Sequence, residues 1–456
     1  MRATALPVNV GNGGATGEDQ MRYTRAVIVA TMAVGVLALV PTQSATAHRH
    51  SPTADPSVIS EWDQIGVATI AADNATSPPR KQGIEVYLYL AFMHAAVYNA
   101  VVGIEGGYQP YRFQARAPRH ASSQAAAVAA AHRVLVTYSP EQQTTLDAAY
   151  DTSLSEIADG TAKSDGIAYG ELAADTLIAQ RVGDGRNSPI SFTTPPAAGV
   201  WRPTPPAMAP FSAPWLGYVK PLMIRSGTQF DAGPPPSLTS AQYTRDFAEV
   251  KSLGSLGSTD RTSEQSETAT FYSGNPSVQL TLGLVDQAAT RHLDITESAR
   301  MFAAVMMSAA DASISIWYSK HHYGFWRPIT AIRLADTDGN PMTDPEPTWT
   351  PVIATPPYPD WVSGYNGVVG AYTRALQEVL GCRDLRLTLI STAFPVGDPL
   401  RTRHYNSGRQ VRQDVIDARV WLGLHFRSAD TAAARMGQQV ARYATSHYFG
   451  PTTRGH

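Results

Sequence analysis

Residues 294–320 read DITESARMFAAVMMSAADASISIWYSK, a run with neither proline nor glycine. Asp294 followed by Glu297 is a capping-box pattern, in which each side chain satisfies the other's free backbone N–H. The stretch therefore predicts a long helix that begins at Asp294 and closes at Lys320. Downstream, the pattern predicts further helices over 365–380, 408–423 and 430–448. Upstream, it predicts them over 240–253 and 263–272. Nearer the N-terminus, 84–104 and 125–138 read as helices, and 161–182 as another ended by Gly183-Asp184-Gly185. Ser139-Pro140-Glu141-Gln142 reads as a helix start: Ser as N-cap, Pro at the first helical position, Gln where a capping box wants it. Strand signals are few. The fold class is all-α, with helices packed as antiparallel neighbours.

Residues 186–238 break this pattern. Pro195-Pro196, Pro203, Pro205-Pro206, Pro210, Pro214 and Pro234-Pro235-Pro236 forbid a regular helix or a central strand. Trp201, Phe211, Trp215 and Phe230 are interleaved with them, and a disordered linker would be poorer in aromatics. The expected organisation is a helical region over 48–185, an ordered Pro-rich cover over 186–238, and a second helical region over 239–456.

Composition narrows the function classes. The chain has 456 residues, with 36 basic and 38 acidic side chains and a formal net charge of −2. That balance argues against a protein built to coat nucleic acid or an anionic membrane. One cysteine, Cys382, excludes an intrachain disulfide framework and any cysteine-cluster metal site. Arg22 and Arg25 precede an apolar run over 26–40, and Ala45-Thr46-Ala47 supplies small residues for cleavage. Residues 1–47 therefore read as a signal peptide, with Met21 as a possible start. The expectation is a secreted protein with no later membrane span. Its partners would be small molecules.

Three pieces in the C-terminal third carry the chemistry. The first is Lys320-His-His-Tyr-Gly-Phe-Trp-Arg327-Pro328. Lysine occurs elsewhere only at 81, 163, 220 and 251, so one inside a motif is informative. Pro328 disfavours a helical Arg327, which should sit on an exit turn. The second is Tyr358-Pro-Asp-Trp-Val-Ser363-Gly364-Tyr365, a turn entering a helix. Ser363 is the natural N-cap, Gly364 permits close approach, and the helix start favours an anion. The third is Asp417-Ala-Arg419-Val-Trp-Leu-Gly-Leu-His425. Arg419 lies beside the apolar stripe of Val411, Val415, Ala418 and Leu422, so it should face the interior, where a buried cation needs an anion. His425 can join it only if the helix ends in between, which Gly423 allows. Together, Lys320, Arg327, Ser363, Arg419 and His425 make a cage for a tetrahedral or trigonal-bipyramidal oxyanion.

These pieces resemble the signature of the vanadium-dependent haloperoxidases and type 2 phosphatidic acid phosphatases: Lys-x6-Arg-Pro, then Pro-Ser-Gly-His, then Ser-Arg-x5-His. Here the first is complete. The third has Arg419 and His425 at the right spacing with Ala418 for Ser. The middle one reads Val362-Ser363-Gly364-Tyr365. Segments from about Glu61 onward are similar to the secreted bacterial haloperoxidase-like branch. The resemblance implies a four-helix-bundle core and vanadate as cofactor. Lys320, Arg327, Ser363, Gly364 and Arg419 would hold its oxygens, and His425 would be the metal ligand. Lys320 would polarise peroxide for halide oxidation. The alternative is a secreted acid phosphatase with His425 as nucleophile. Tyr365, a catalytic candidate beside His425 and Lys320, stands where the family has an acid–base His, and tyrosine ionises near pH 10 rather than near neutrality. A non-redox oxyanion-binding member is therefore the third expectation. His321, His322 and His404 are the candidates to replace the missing one, and each has a structural or surface role as its alternative.

Overall fold

The computed structural model describes residues 54–452. The leader expected over 1–47 lies outside these residues, as do 48–53 and 453–456. The first region holds α1 (Ser57–Asn74), α2 (Val86–Glu105), α3 (Ser123–Tyr138), α4 (Gln143–Ser155) and α5 (Thr161–Gln180). After the Pro-rich segment come α6 (Ala241–Leu253), α7 (Ser263–Phe271), α8 (Pro276–Thr290) and α9 (Ile295–Tyr323). Then follow α10 (Pro328–Arg333), α11 (Gly364–Val379), α12 (Gly408–Trp421) and α13 (Arg427–His447). Among the described residues, a single antiparallel hairpin, β1 (Leu387–Ile390) with β2 (Thr402–Tyr405), interrupts an otherwise all-α fold.

Helix α9 is the axis. Both halves of its capping box form: Asp294 accepts from the Glu297 N–H (2.8 Å), and Glu297 from that of Asp294 (3.2 Å). It packs most extensively on α2 and α11, then on the 3-10 stretch Pro214–Tyr218 and on α13. Helices α11 and α13 cross with backbones almost touching. A Cβ on Gly437 would fall 1.9 Å from the Gly367 carbonyl oxygen, which only glycine tolerates. From Ala54 onward the chain clusters as one unit.

Several expectations are corrected. Lys320 does not close α9; His321, His322 and Tyr323 carry it on until Gly324 turns left-handed at φ +53°. Ser139 caps nothing with its hydroxyl, which instead accepts from Lys81 (3.0 Å), and 140–142 is a 3-10 turn leading into α4. Helix α13 starts at Arg427, before Asp430. Two later helices, not none, are long and apolar enough to cross a bilayer: 83–105 and 295–323. Both are sheathed by the rest of the protein, with 89% and 94% of their apolar windows buried.

The segment 186–238 contains no α-helix or strand, only the 3-10 stretch at 214–218. Trp201, Phe211 and Trp215 are buried in the core. It is fastened to the two strips of chain that carry the candidate site. The Trp201 N–H donates to Gly324 (2.7 Å) and the Trp326 N–H to Gly199 (3.0 Å). The Ser212 N–H donates to Pro357 (2.9 Å), and the Trp361 indole to Gly233 (2.8 Å).

Candidate functional site

Lys320 occupies the last turn of α9 and is fully buried. Its ammonium donates to the carbonyls of Pro359 (2.6 Å) and Asp360 (3.1 Å). An ammonium has three hydrogens, so one is left without a partner among the described residues. Burial, reinforced by the Arg327 charge, holds its pKa well below the usual lysine range. An arriving anion would reverse that push.

Arg327 follows in extended backbone (φ −83°, ψ 156°), as the next proline requires. Its guanidinium donates to the carbonyls of Tyr358 (2.7 Å) and Leu424 (2.8 Å), and Nη1 stands 3.1 Å from His425 Nε2. The Tyr358 ring lies under both cations, 4.9 Å from Lys320 Nζ and 4.8 Å from Arg327 Cζ.

His425 reaches this spot because α12 stops at Trp421. Gly423 then takes φ +77°, and a Cβ there would lie 2.4 Å from the Gly254 carbonyl oxygen. His425 Nδ1 faces Asp360 Oδ1 at 2.7 Å, with both residues at most 1% exposed. Burial, then Arg327, Lys320 and Arg419, push the imidazole well below its usual range, so it is neutral near pH 7. Burial pushes the Asp360 carboxyl the other way, to about 7, against the pull of Arg327 and Lys320.

Arg419 faces inward from α12. No ion pair reaches it among the described residues, and Nε is buried with no hydrogen-bond partner. The Tyr365 ring lies 5.7 Å from its Cζ. Ser363 precedes α11 in extended backbone, but its hydroxyl does not cap the helix; it accepts from Asn366 Nδ2 at 3.3 Å. Asn366 also donates to Asp430 Oδ1 (2.7 Å), which leaves Asp430 Oδ2, Asp360 Oδ2 and Asn366 Oδ1 buried without partners. A Cβ on Gly364 would meet nothing closer than the Trp317 ring at 3.4 Å. The protein itself would accept a side chain there, so a demand for glycine would have to come from a bound group.

The structure thus brings Lys320, Arg327, Arg419 and His425 into one electrostatic neighbourhood, with Ser363 and Gly364 at the helix start beside it. Tyr365 is placed differently. Its hydroxyl donates to Gln279 of α8, and burial holds its pKa well above 10. None of the three other histidines joins the cage. His321 bonds Tyr218 (2.7 Å), His322 stacks exposed on Tyr318, and His404 is exposed on β2 near Thr388.

Sequence reasoning missed Asp360, Asp430, Asn366 and Gln279. Asp360 had a signal: it stands inside the quoted turn before Ser363, and a histidine buried among cations needs an acceptor. Asp430 and Gln279 had none, since only tertiary packing brings α13 and α8 to this place.

Comparison with known proteins agrees. Residues 300–451 match the family described as the VCPO second helical-bundle domain. Vanadium chloroperoxidase of Curvularia inaequalis is 26% identical over 291 residues, which take in 49% of this chain and 47% of that protein. The chain therefore spans about half the length of that relative. Among solved structures, a bacterial vanadium-dependent iodoperoxidase superposes with a TM-score of 0.73 at 21% identity, over 88% of this chain and 98% of that one. A holo-type bacterial vanadium-dependent chloroperoxidase gives 0.65 at 16%, again over 88% and 98%. Residues 300–451 thus match the VCPO second helical-bundle family in sequence, and nearly the whole described chain shares its helical fold with bacterial vanadium-dependent haloperoxidases.

Proposed function

We propose that the cage binds vanadate and that the chain is a haloperoxidase, using peroxide to oxidise a halide that then reacts with a small organic acceptor. The observation that carries this reading is the unpartnered Arg419 beside the buried Lys320 and Arg327. A buried cation without an anion costs several kcal/mol, and a compact oxyanion removes that cost. The donor set fits an oxyanion better than a simple cation. Among the described residues no group of three His, Cys, Asp or Glu could ligate a metal ion, whereas three cations surround one imidazole.

Lys320, Arg327 and Arg419 would hold the oxygens by charge, and Ser363 with the Gly364 N–H by hydrogen bonds. The neutral His425 would offer Nε2 as the metal ligand. Bound vanadate would supply Lewis-acid activation of peroxide. Lys320, with one N–H uncommitted, would polarise the incoming peroxide. Tyr365 gives its ring to Arg419 but keeps its proton on Gln279, so it does not serve as acid–base group in this reading. On the leader reading of residues 1–47, the enzyme works outside the cytoplasm.

The test is direct. Purified protein titrated with vanadate should bind it, and then halogenate an activated aromatic in peroxide and bromide between acidic and neutral pH. Binding without turnover anywhere in that range counts against the activity.

The same neutral imidazole among cations also suits a phosphoryl nucleophile. A secreted phosphatase is therefore the second reading, supported if an aryl phosphate is hydrolysed and vanadate inhibits. Tyr365 supports the third, a member that binds an oxyanion without either chemistry. Tyr365→His raising either rate about a hundredfold, the low end of acid–base catalysis, would favour that reading. A fall in rate would rule it out.

A further inference from the structure

We infer that Asp360 is the positioning residue of His425, its carboxylate accepting a hydrogen bond from the Nδ1–H so that Nε2 is presented unprotonated to the anion site. This deepens the proposed reading and rests on it only for the identity of the anion.

One neighbour dictates the tautomer, and it is Asp360. A guanidinium has donors and no acceptor. Arg327 Nη1 stands 3.1 Å from Nε2 and 3.4 Å from Nδ1, so it lies against the ring and selects neither nitrogen. An ionised carboxylate can only accept, so the ring proton belongs on Nδ1, where Asp360 Oδ1 stands at 2.7 Å. Hydrogen-bond partners on the far nitrogen are what fix the orientation and basicity of an imidazole that serves as a ligand or nucleophile.

Asp360 is itself fixed. Its backbone N–H donates to Phe325 (2.9 Å), two residues before Arg327, and its carbonyl accepts from Lys320 (3.1 Å). One residue thus sets the imidazole with its side chain and the ammonium with its main chain. Any anion held by Lys320 and His425 together depends on the geometry of this single joint.

The experiment uses the full chain with 15N-labelled histidine. The His425 ring signals are identified by their loss in His425→Gln. The expected wild-type pattern is a proton on Nδ1 and none on Nε2. Asp360→Asn keeps the shape, but an amide can accept or donate and so dictates neither tautomer. Its His425 should shift toward a proton on Nε2, and vanadate should bind about 10–100-fold more weakly, the usual loss for such an outer partner.

A wild-type proton on Nε2 overturns the inference without any variant. So does an Asp360→Asn protein that keeps Nδ1 protonated and binds vanadate within about twofold of wild type. If neither protein binds vanadate yet the substitution moves the ring proton, the positioning role stands and the vanadate reading falls.

Discussion

Asp311 and Lys320 lie on the same helix, about 13 Å apart along its axis, and both are fully buried. Their surroundings differ in one respect. Asp311 accepts three backbone N–H groups from the cover: Leu222 (2.7 Å), Met223 (2.7 Å) and Ile224 (3.0 Å). Both oxygens of the Asp311 carboxylate are met within the chain. Around Lys320 the valences are left open, on Arg419 Nε, Asp360 Oδ2, Asp430 Oδ2 and Asn366 Oδ1. Orphaned atoms occur elsewhere too, among them Asp63 Oδ2, His94 Nδ1, Arg202 Nε and several hydroxyls. At the cage they accompany three cations. A buried polar cluster that is closed on itself holds a structure together; one left open is prepared to hold something else.

The largest expected effect breaks the open cluster. Arg419→Leu should weaken vanadate or phosphate binding by about 3 kcal/mol, roughly a hundredfold, since it removes charge-assisted bonds to the anion. It should leave stability unchanged or raised, because an unpartnered buried cation is replaced by an apolar side chain. Calorimetric titration and chemical denaturation of the same preparation check both halves. A variant that loses stability while keeping its affinity would place Arg419 with the structural residues.

Asp311→Ala should do the reverse. Three buried N–H groups lose their acceptor, which costs on the order of 2 kcal/mol of folding stability, while anion affinity stays unchanged. Burial pushes the Asp311 carboxyl up to about 6 from an ordinary 3.8. A raised carboxyl favours the fold most fully below the unfolded value and loses that contribution as pH rises through the folded one. The stability gap between wild type and variant should therefore narrow as pH climbs from about 4 to about 6. A gap independent of pH would deny Asp311 its shifted carboxyl.

The two clusters were not equally legible in the sequence. The cage could be read because its signals are local: a lysine rare in this chain, an Arg-Pro turn, a Ser-Gly helix entry, and an Arg with a His six positions on. The Asp311 tie could not, since nothing near Asp311 announces that Leu222 to Ile224 will meet it. The same division runs through the fold. The capping box at Asp294 and the Pro-rich cover were plain. Helix α8 was overlooked although Asn275 and Pro276 form a good start, with Asn275 Oδ1 accepting from the Ser277 N–H (3.0 Å). Helix α1 offered less, since Pro56 precedes it at the N-cap position and supplies no side-chain cap. The hairpin escaped because its strands are four residues each, a length at which periodicity says little.

Tyr365 sharpens the comparison, because its position belongs to the cage and its bonding to the closed kind. Its hydroxyl is held by Gln279, a residue 3% exposed on a different helix, while its ring faces Arg419. If the hydroxyl is structural, Tyr365→Phe leaves Gln279 Oε1 without its donor and keeps the ring where it was. The expected result is a stability loss of about 1 kcal/mol, the usual net value of one hydrogen bond, with vanadate affinity and any peroxidase turnover unchanged. Denaturant midpoints and steady-state rates on the vanadate-loaded protein decide the matter. A drop in turnover without a drop in stability would mean that the phenol works on the reacting atoms after all, and that Gln279 holds it only until a ligand arrives.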